Sequence, residues 1–156
     1  MKKLKLYLDT SVINFAVSEN PQLKIQKEAT NTLLYKINSG VYEGYISELV
    51  IEEIEKANAE RREVLKEVVR GTKLTLLKSN QEIEALADKY ISEGLIPVKY
   101  RDDAVHIAIA VVHEIKVITS WNFEHMVKLK TKTGVKGINE LMGYEDVEII
   151  TPQEVE

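Results

Sequence analysis

The chain contains no cysteine. That excludes a disulfide scaffold and a thiolate zinc site, and it fits a reducing compartment. No stretch approaches the roughly 20 apolar residues needed to cross a bilayer. The opening Met1-Lys2-Lys3 imitates a secretory leader, but the apolar run behind it is short and Asp9 interrupts it. No cleavable signal is expected, and a cytoplasmic, membrane-free protein is. Basic charge is not in excess: the formal net charge is −4. This argues against avid, non-specific binding to polyanions, but it leaves room for acids gathered at one place and lysines at another. Phosphate-cradling and dinucleotide-type glycine patterns are absent, and so is a Gly-x-Ser-x-Gly elbow. His106, His113 and His125 do not form a zinc set, because no two stand four apart. His106 and His113 read as helix-face residues, and His125 as a candidate for substrate contact.

What remains is an ordinary globular chain of 156 residues, 44% hydrophobic and 29% charged. It is expected to form one domain, 1–156, since no repeat, low-complexity tract or linker interrupts it. The apolar run at 4–8 fits a buried strand ending at Asp9. Residues 22–38 carry Ile25, Ala29, Leu33 and Ile37 four apart, which predicts a helix that stops near Gly40. A brief strand is expected at 45–46, followed by a helix capped by Ser47 and a charged helical stretch ending at Gly71. A strand at 74–77 leads to Ser79 and Glu82, spaced as a capping box for a helix that runs to Gly94. A helix begins near Arg101, a strand lies at 117–119, and a last helix and strand are expected at 134–141 and 147–150. Strands alternating with helices predict an α/β fold with a parallel sheet and helices on both faces.

In such a sheet, ligands bind beyond the carboxyl ends of the strands. Asp9 follows the first strand, Glu52 and Glu53 open the helix after the second, Asp102 and Asp103 begin a later helix, and Asn122 follows the strand at 117–119. Taken singly, each has a structural explanation: a cap for Asp9, a solvated helix face for the glutamates, the helix dipole for the paired aspartates. Taken together, they place oxygen ligands at one edge, where a hard cation such as Mg²⁺ or Mn²⁺ would relieve their mutual repulsion. Such a cation polarises a phosphodiester and acidifies a bound water.

The motifs themselves resemble those of a known family. Leu6-Tyr7-Leu8-Asp9-Thr10-Ser11-Val12-Ile13 resembles the opening of the PIN-domain nucleases. The block from Ile46 to Ile54 is similar to their second motif, Asp103 to Ala110 to their third, and Val117 to Phe123 to their fourth. The four blocks occur in the family's order and span nearly the whole chain. The resemblance implies a PIN-like three-layer α/β/α fold with a central parallel sheet, and Mg²⁺- or Mn²⁺-dependent cleavage of RNA. It also implies a homodimer and, for many prokaryotic members, a role as the toxin partnered by a cognate antitoxin. Carried over by position, Asp9, Glu53 and Asp103 become metal-binding carboxylates. Glu53 is preferred to Glu52 by its spacing from Ser47, and Asp103 to Asp102 because it directly precedes Ala104. Asn122 stands where the family often has Asp, which weakens the expectation of a second metal roughly 3.5–4 Å from the first. Ser11 and Ser120 are candidates to orient water or phosphate.

Lys128, Lys130 and Lys132, in the acid-free stretch 127–136, are candidates to contact an RNA backbone. Other classes compete with this reading. A phosphatase opening on a post-strand Asp would want a second Asp where Ser11 stands. A non-catalytic RNA- or protein-binding module of the same fold is the reading that Asn122 keeps open.

Overall fold

A computed structural model describes residues 2–155. Five parallel strands form one sheet in the order β3-β2-β1-β4-β5: β1 (Leu4–Leu8), β2 (Tyr42–Ser47), β3 (Leu74–Leu77), β4 (Val117–Thr119) and β5 (Glu148–Ile150). Leu6, Tyr7 and Leu8 are all fully buried, as a central strand covered on both faces requires. Side chains alternate across the pleat. Leu6 and Leu8 join the apolar cluster built with α1 (Thr10–Ala16), α2 (Lys24–Asn38), α3 (Glu48–Glu55) and α4 (Ala59–Arg70). Tyr7 joins the opposite cluster with α5 (Gln81–Ser92), α6 (Arg101–Val112) and α7 (Leu129–Met142). The result is three layers. Among the described residues, no helix is long and apolar enough to span a membrane.

From β1 the chain moves outward through β2 to β3, then returns to place β4 on the other side of β1. The carboxyl ends of β1 and β4 therefore form the point where the strand order reverses, which is the favoured ligand crevice of an open parallel sheet. Asp9 and Ser120 sit at those two ends, with Asp9 N–H donating to Thr119 O at 3.3 Å.

Several local expectations shift. Asp9 does start a helix, α1, in which its side chain accepts from Val12 N–H. Ile25 is 66% exposed, because a repeat of four drifts by about 40° per step around a helix of 3.6 residues per turn. The buried stripe of α2 is instead Thr30, Leu33, Leu34 and Ile37. Strand β2 is longer than 45–46, and its Gly44 admits Ile37 so closely that an added Cβ would lie 2.9 Å from Ile37 Cδ1. The cap of α5 is Asn80, accepting from Ile83 N–H, while Ser79 N–H donates to Glu48 at 3.0 Å. Helix α7 begins at Leu129, five residues before Gly134. Its stripe includes the buried Thr131, whose hydroxyl donates to His125 O at 2.9 Å, so the lysine-bearing stretch is largely helical.

Candidate active site at the sheet switch point

Asp9 is 3% exposed, and both of its oxygens are occupied. Ser11 Oγ donates to Oδ1 at 2.5 Å, Ser120 Oγ donates to Oδ2 at 2.5 Å, and Val12 N–H reaches Oδ1 at 3.3 Å. Ser11 in turn accepts from Trp121 N–H at 2.8 Å, which ties the turn after β4 to α1. Burial pushes the Asp9 carboxyl above the ordinary aspartate value, and His106, the two serines and the Val12 amide offset part of that rise. Ser11 and Ser120 thus face the carboxylate, and Ser120 is wholly buried.

Asp103, in the first turn of α6, is partly buried. Burial raises its pKa as well. His106, a hydrogen bond from Asn122 and the nearby His125 act against the rise, and the Asp9 charge adds to it. Asp9 and Asp103 are therefore near enough to repel. Asn122 Oδ1 accepts from His125 N–H at 2.9 Å, which rigidifies the turn behind β4. His125 is buried, packs at a tilt against Tyr100 with ring centroids 4.1 Å apart, and holds Nε2 3.6 Å from Glu124.

Glu53 projects from α3 but does not point into an open cluster of acids. Its Oε1 accepts from Thr10 Oγ1 at 2.7 Å and from His106 Nε2 at 2.6 Å. Burial would raise its pKa, but the His106 hydrogen bond and charge, together with Thr10, hold it below the ordinary value. His106 is 2% exposed. Burial disfavours its charged form, but the bond to Glu53 and the charges of Asp9, Glu53 and Asp103 outweigh this and raise its pKa. His106 thus lies among all three carboxylates. In the sequence, His106 reads only as a helix-face residue. The available signal was a titratable side chain inside the otherwise apolar run Ala104–Val111, one turn after Asp103. Glu52 and Asp102 line a separate cavity of about 250 Å³ with Glu48, Glu84 and Arg101.

Among the described residues, no three His, Asp or Glu side chains converge closely enough to hold a metal ion. The donor chemistry of Asp9 and Asp103, oxygen ligands whose charged forms burial disfavours, fits a hard cation. Both Asp9 and Glu53 already accept hydrogen bonds, Asp9 from Ser11, Ser120 and Val12 N–H and Glu53 from His106 and Thr10, and a cation would share their oxygens with those donors. Lys128 and Lys132 are partly exposed and Lys130 is exposed, and none makes an ion pair with another described residue. Their helix follows directly from the turn in which Met126 and Val127 N–H donate to Asn122 O.

No protein-family model matches the chain, and no curated protein does. Solved structures do. VapC20 of Mycobacterium tuberculosis, described as a toxin that cleaves the sarcin-ricin loop, superposes with a TM-score of 0.58 at 11% identity, covering 92% of this chain and 98% of that one. VapBC2 of Rickettsia felis, bound to a fragment of promoter DNA, gives 0.57 at 12% identity over 94% and 97%. DNA-bound VapBC of Salmonella typhimurium gives 0.54 at 18% identity over 96% and 98%. Likeness at such identities is one of fold, and with the parallel sheet and its two helical layers it shows that the fold is the PIN-like α/β/α one.

Proposed function

We propose that the chain is a divalent-metal-dependent endoribonuclease whose centre is Asp9 and Asp103. The observation that carries this reading is the pair itself: two carboxylates, Asp9 buried and Asp103 partly buried, whose charged forms burial disfavours, in a fold shared with a toxin described as cleaving the sarcin-ricin loop. Asp9 and Asp103 would hold Mg²⁺ or Mn²⁺, with Glu53 joining them from α3. A cation there supplies positive charge that polarises the scissile phosphodiester and acidifies water. The residues of the chain do the rest. Ser11 and Ser120 fix the Asp9 carboxylate, so that its orientation is set before substrate arrives. Asn122 holds Asp103 by a hydrogen bond and aims the turn after β4. Lys128, Lys130 and Lys132 present ammonium groups to the RNA backbone from the start of α7, where the helix dipole adds to their positive potential.

In this reading the protein is a cytoplasmic toxin restrained by a cognate antitoxin, as the VapBC likenesses suggest. The exposed Ile25 and Tyr35 of α2 support a homodimer. A second reading, an RNA- or protein-binding module that does not cut, is favoured by Asn122 at the fourth acidic position and by Glu53 being paired to His106.

The test is cleavage of a mixed set of labelled RNAs with Mg²⁺, Mn²⁺ or EDTA, with Asp103→Asn in parallel. Metal-dependent cutting that vanishes in the variant is expected. RNA binding without cutting by folded protein, unaffected by metal, would favour the binding module.

A further inference from the structure

Tyr7, Ser47 and His106 have no role in the reading above, yet with Thr10 they form one continuous line of hydrogen bonds to Glu53. Ser47 Oγ lies 2.7 Å from Tyr7 Oη, Tyr7 Oη 2.6 Å from His106 Nδ1, and His106 Nε2 2.6 Å from Glu53 Oε1. Tyr7 and Ser47 are 0% exposed. Ser47 occupies the cap position of α3 but makes no side-chain cap bond, because its hydroxyl is turned to Tyr7. A buried polar line of this kind costs stability unless every member is paired, and an all-apolar packing would serve the core at least as well. It ends on a partly exposed carboxylate at the switch point, not inside the core.

The donor directions follow from chemistry. An ionised carboxylate only accepts, so His106 Nε2 carries a proton and donates to Glu53. If the imidazole is neutral, Nδ1 accepts from Tyr7 O–H, and Ser47 O–H donates to Tyr7. If it is protonated, Nδ1–H donates to Tyr7 Oη, and Tyr7 O–H donates to Ser47. Hydroxyls serve either way, so both wirings are complete, and Nε2–H stays on Glu53 in each.

We propose that Tyr7 and His106 are positioning residues, a relay that holds the Glu53 carboxylate in one orientation for the reaction. This rests on the nuclease reading above. Hydrogen-bond partners of metal-ligating groups typically change metal affinity or activity by about 10–100-fold when removed.

The experiment compares wild type with Tyr7→Phe, His106→Phe, His106→Gln and Ser47→Ala. Mn²⁺ binding and the separate kcat and KM for RNA are measured, together with ring ¹⁵N NMR of His106 in metal-free protein. Tyr7→Phe and His106→Phe should weaken Mn²⁺ binding or lower kcat by about 10–100-fold while KM stays unchanged. His106→Gln, whose amide nitrogen can stand near the place of Nε2, should recover most of that loss. Ser47→Ala removes only the outermost link, and it keeps the test open if Tyr7→Phe does not fold. It should lose less than about tenfold in the same direction. In NMR, Nε2 should carry a proton in wild type and in Tyr7→Phe alike, and the Nδ1 resonance should shift in Tyr7→Phe as its only partner is lost. Folded Tyr7→Phe and His106→Phe proteins that match wild type, or a Gln variant no better than Phe, would overturn the relay while leaving the nuclease intact. A wild type that neither binds Mn²⁺ nor cuts RNA would overturn the nuclease reading and the positioning role with it, whatever the NMR shows.

Discussion

Replacing Asp9 with Asn should abolish cleavage and leave the fold intact, and the structure says why both halves hold. The side chain is 3% exposed, and its oxygens are held by Ser11, Ser120 and Val12 N–H. Asparagine keeps one oxygen, enough to accept from Val12 N–H and preserve the cap of α1. Its amide can donate to Ser120, whose hydroxyl also accepts. Three charge-assisted bonds become neutral ones, a loss of about 1 kcal/mol each. Against that, the desolvation penalty of a buried carboxylate disappears. Because burial raises the Asp9 pKa above 3.8, the native state binds this proton more tightly than the unfolded chain does. The wild-type contribution therefore falls as pH rises from the unfolded value to the raised native value, and it stays reduced above that. Asp9→Asn removes that fall. Urea melts across pH 3.5–7 in EDTA, roughly bracketing the carboxylate range, should show a flatter pH profile for the variant and stability at neutral pH within about 2 kcal/mol of wild type. Loss of a ligand that supports transition-state charge is worth several kcal/mol, or about 10³-fold in rate at about 1.4 kcal/mol per tenfold. A folded Asp9→Asn protein that cuts within tenfold of wild type would refute the site. An unfolded one would refute the hydrogen-bond argument.

Changing Lys128, Lys130 and Lys132 together to Ala should weaken RNA binding and lower the slope of log affinity against log salt by about 2, at about 0.7 per phosphate contact on a single strand. An unchanged slope would remove them from the interface. Asn122→Asp restores the acid often found at that position while keeping the oxygen that accepts from His125 N–H, and it should tighten Mn²⁺ binding in a titration. Weaker binding would mean that the hydrogen bond to Asp103 matters more than the added charge. Thr30→Val leaves Trp121 Nε1–H, now 2.8 Å from Thr30 Oγ1, buried without a partner. A loss of about 1–3 kcal/mol is expected, read as a lower Tm by roughly 2–4 °C per kcal/mol at this chain length.

Some of this protein was determined by its sequence alone, because the signals are local. Leu4–Leu8 and Val117–Thr119 are apolar runs long enough only for strands, and each falls where expected. The α/β alternation led to the parallel sheet, and four short blocks led to the PIN-like fold. Position after a strand or at a helix start pointed to Asp9, Glu52, Glu53, Asp102, Asp103 and Asn122, and only the family resemblance preferred Glu53 and Asp103; the structure places Asp9, Glu53 and Asp103 around His106. The α7 start was missed because its buried stripe opens on Thr131, a polar residue made compatible with the core by its bond to His125 O. Only the tertiary structure decided which polar groups face one another. Tyr7 and His106 are 99 positions apart, and Ser120 and Asp9 are 111. No periodicity along the chain encodes such a pairing. It arises because β1 lies between β2 and β4, so that Tyr7 is carried onto α6 and the carboxyl ends of β1 and β4 close on one carboxylate.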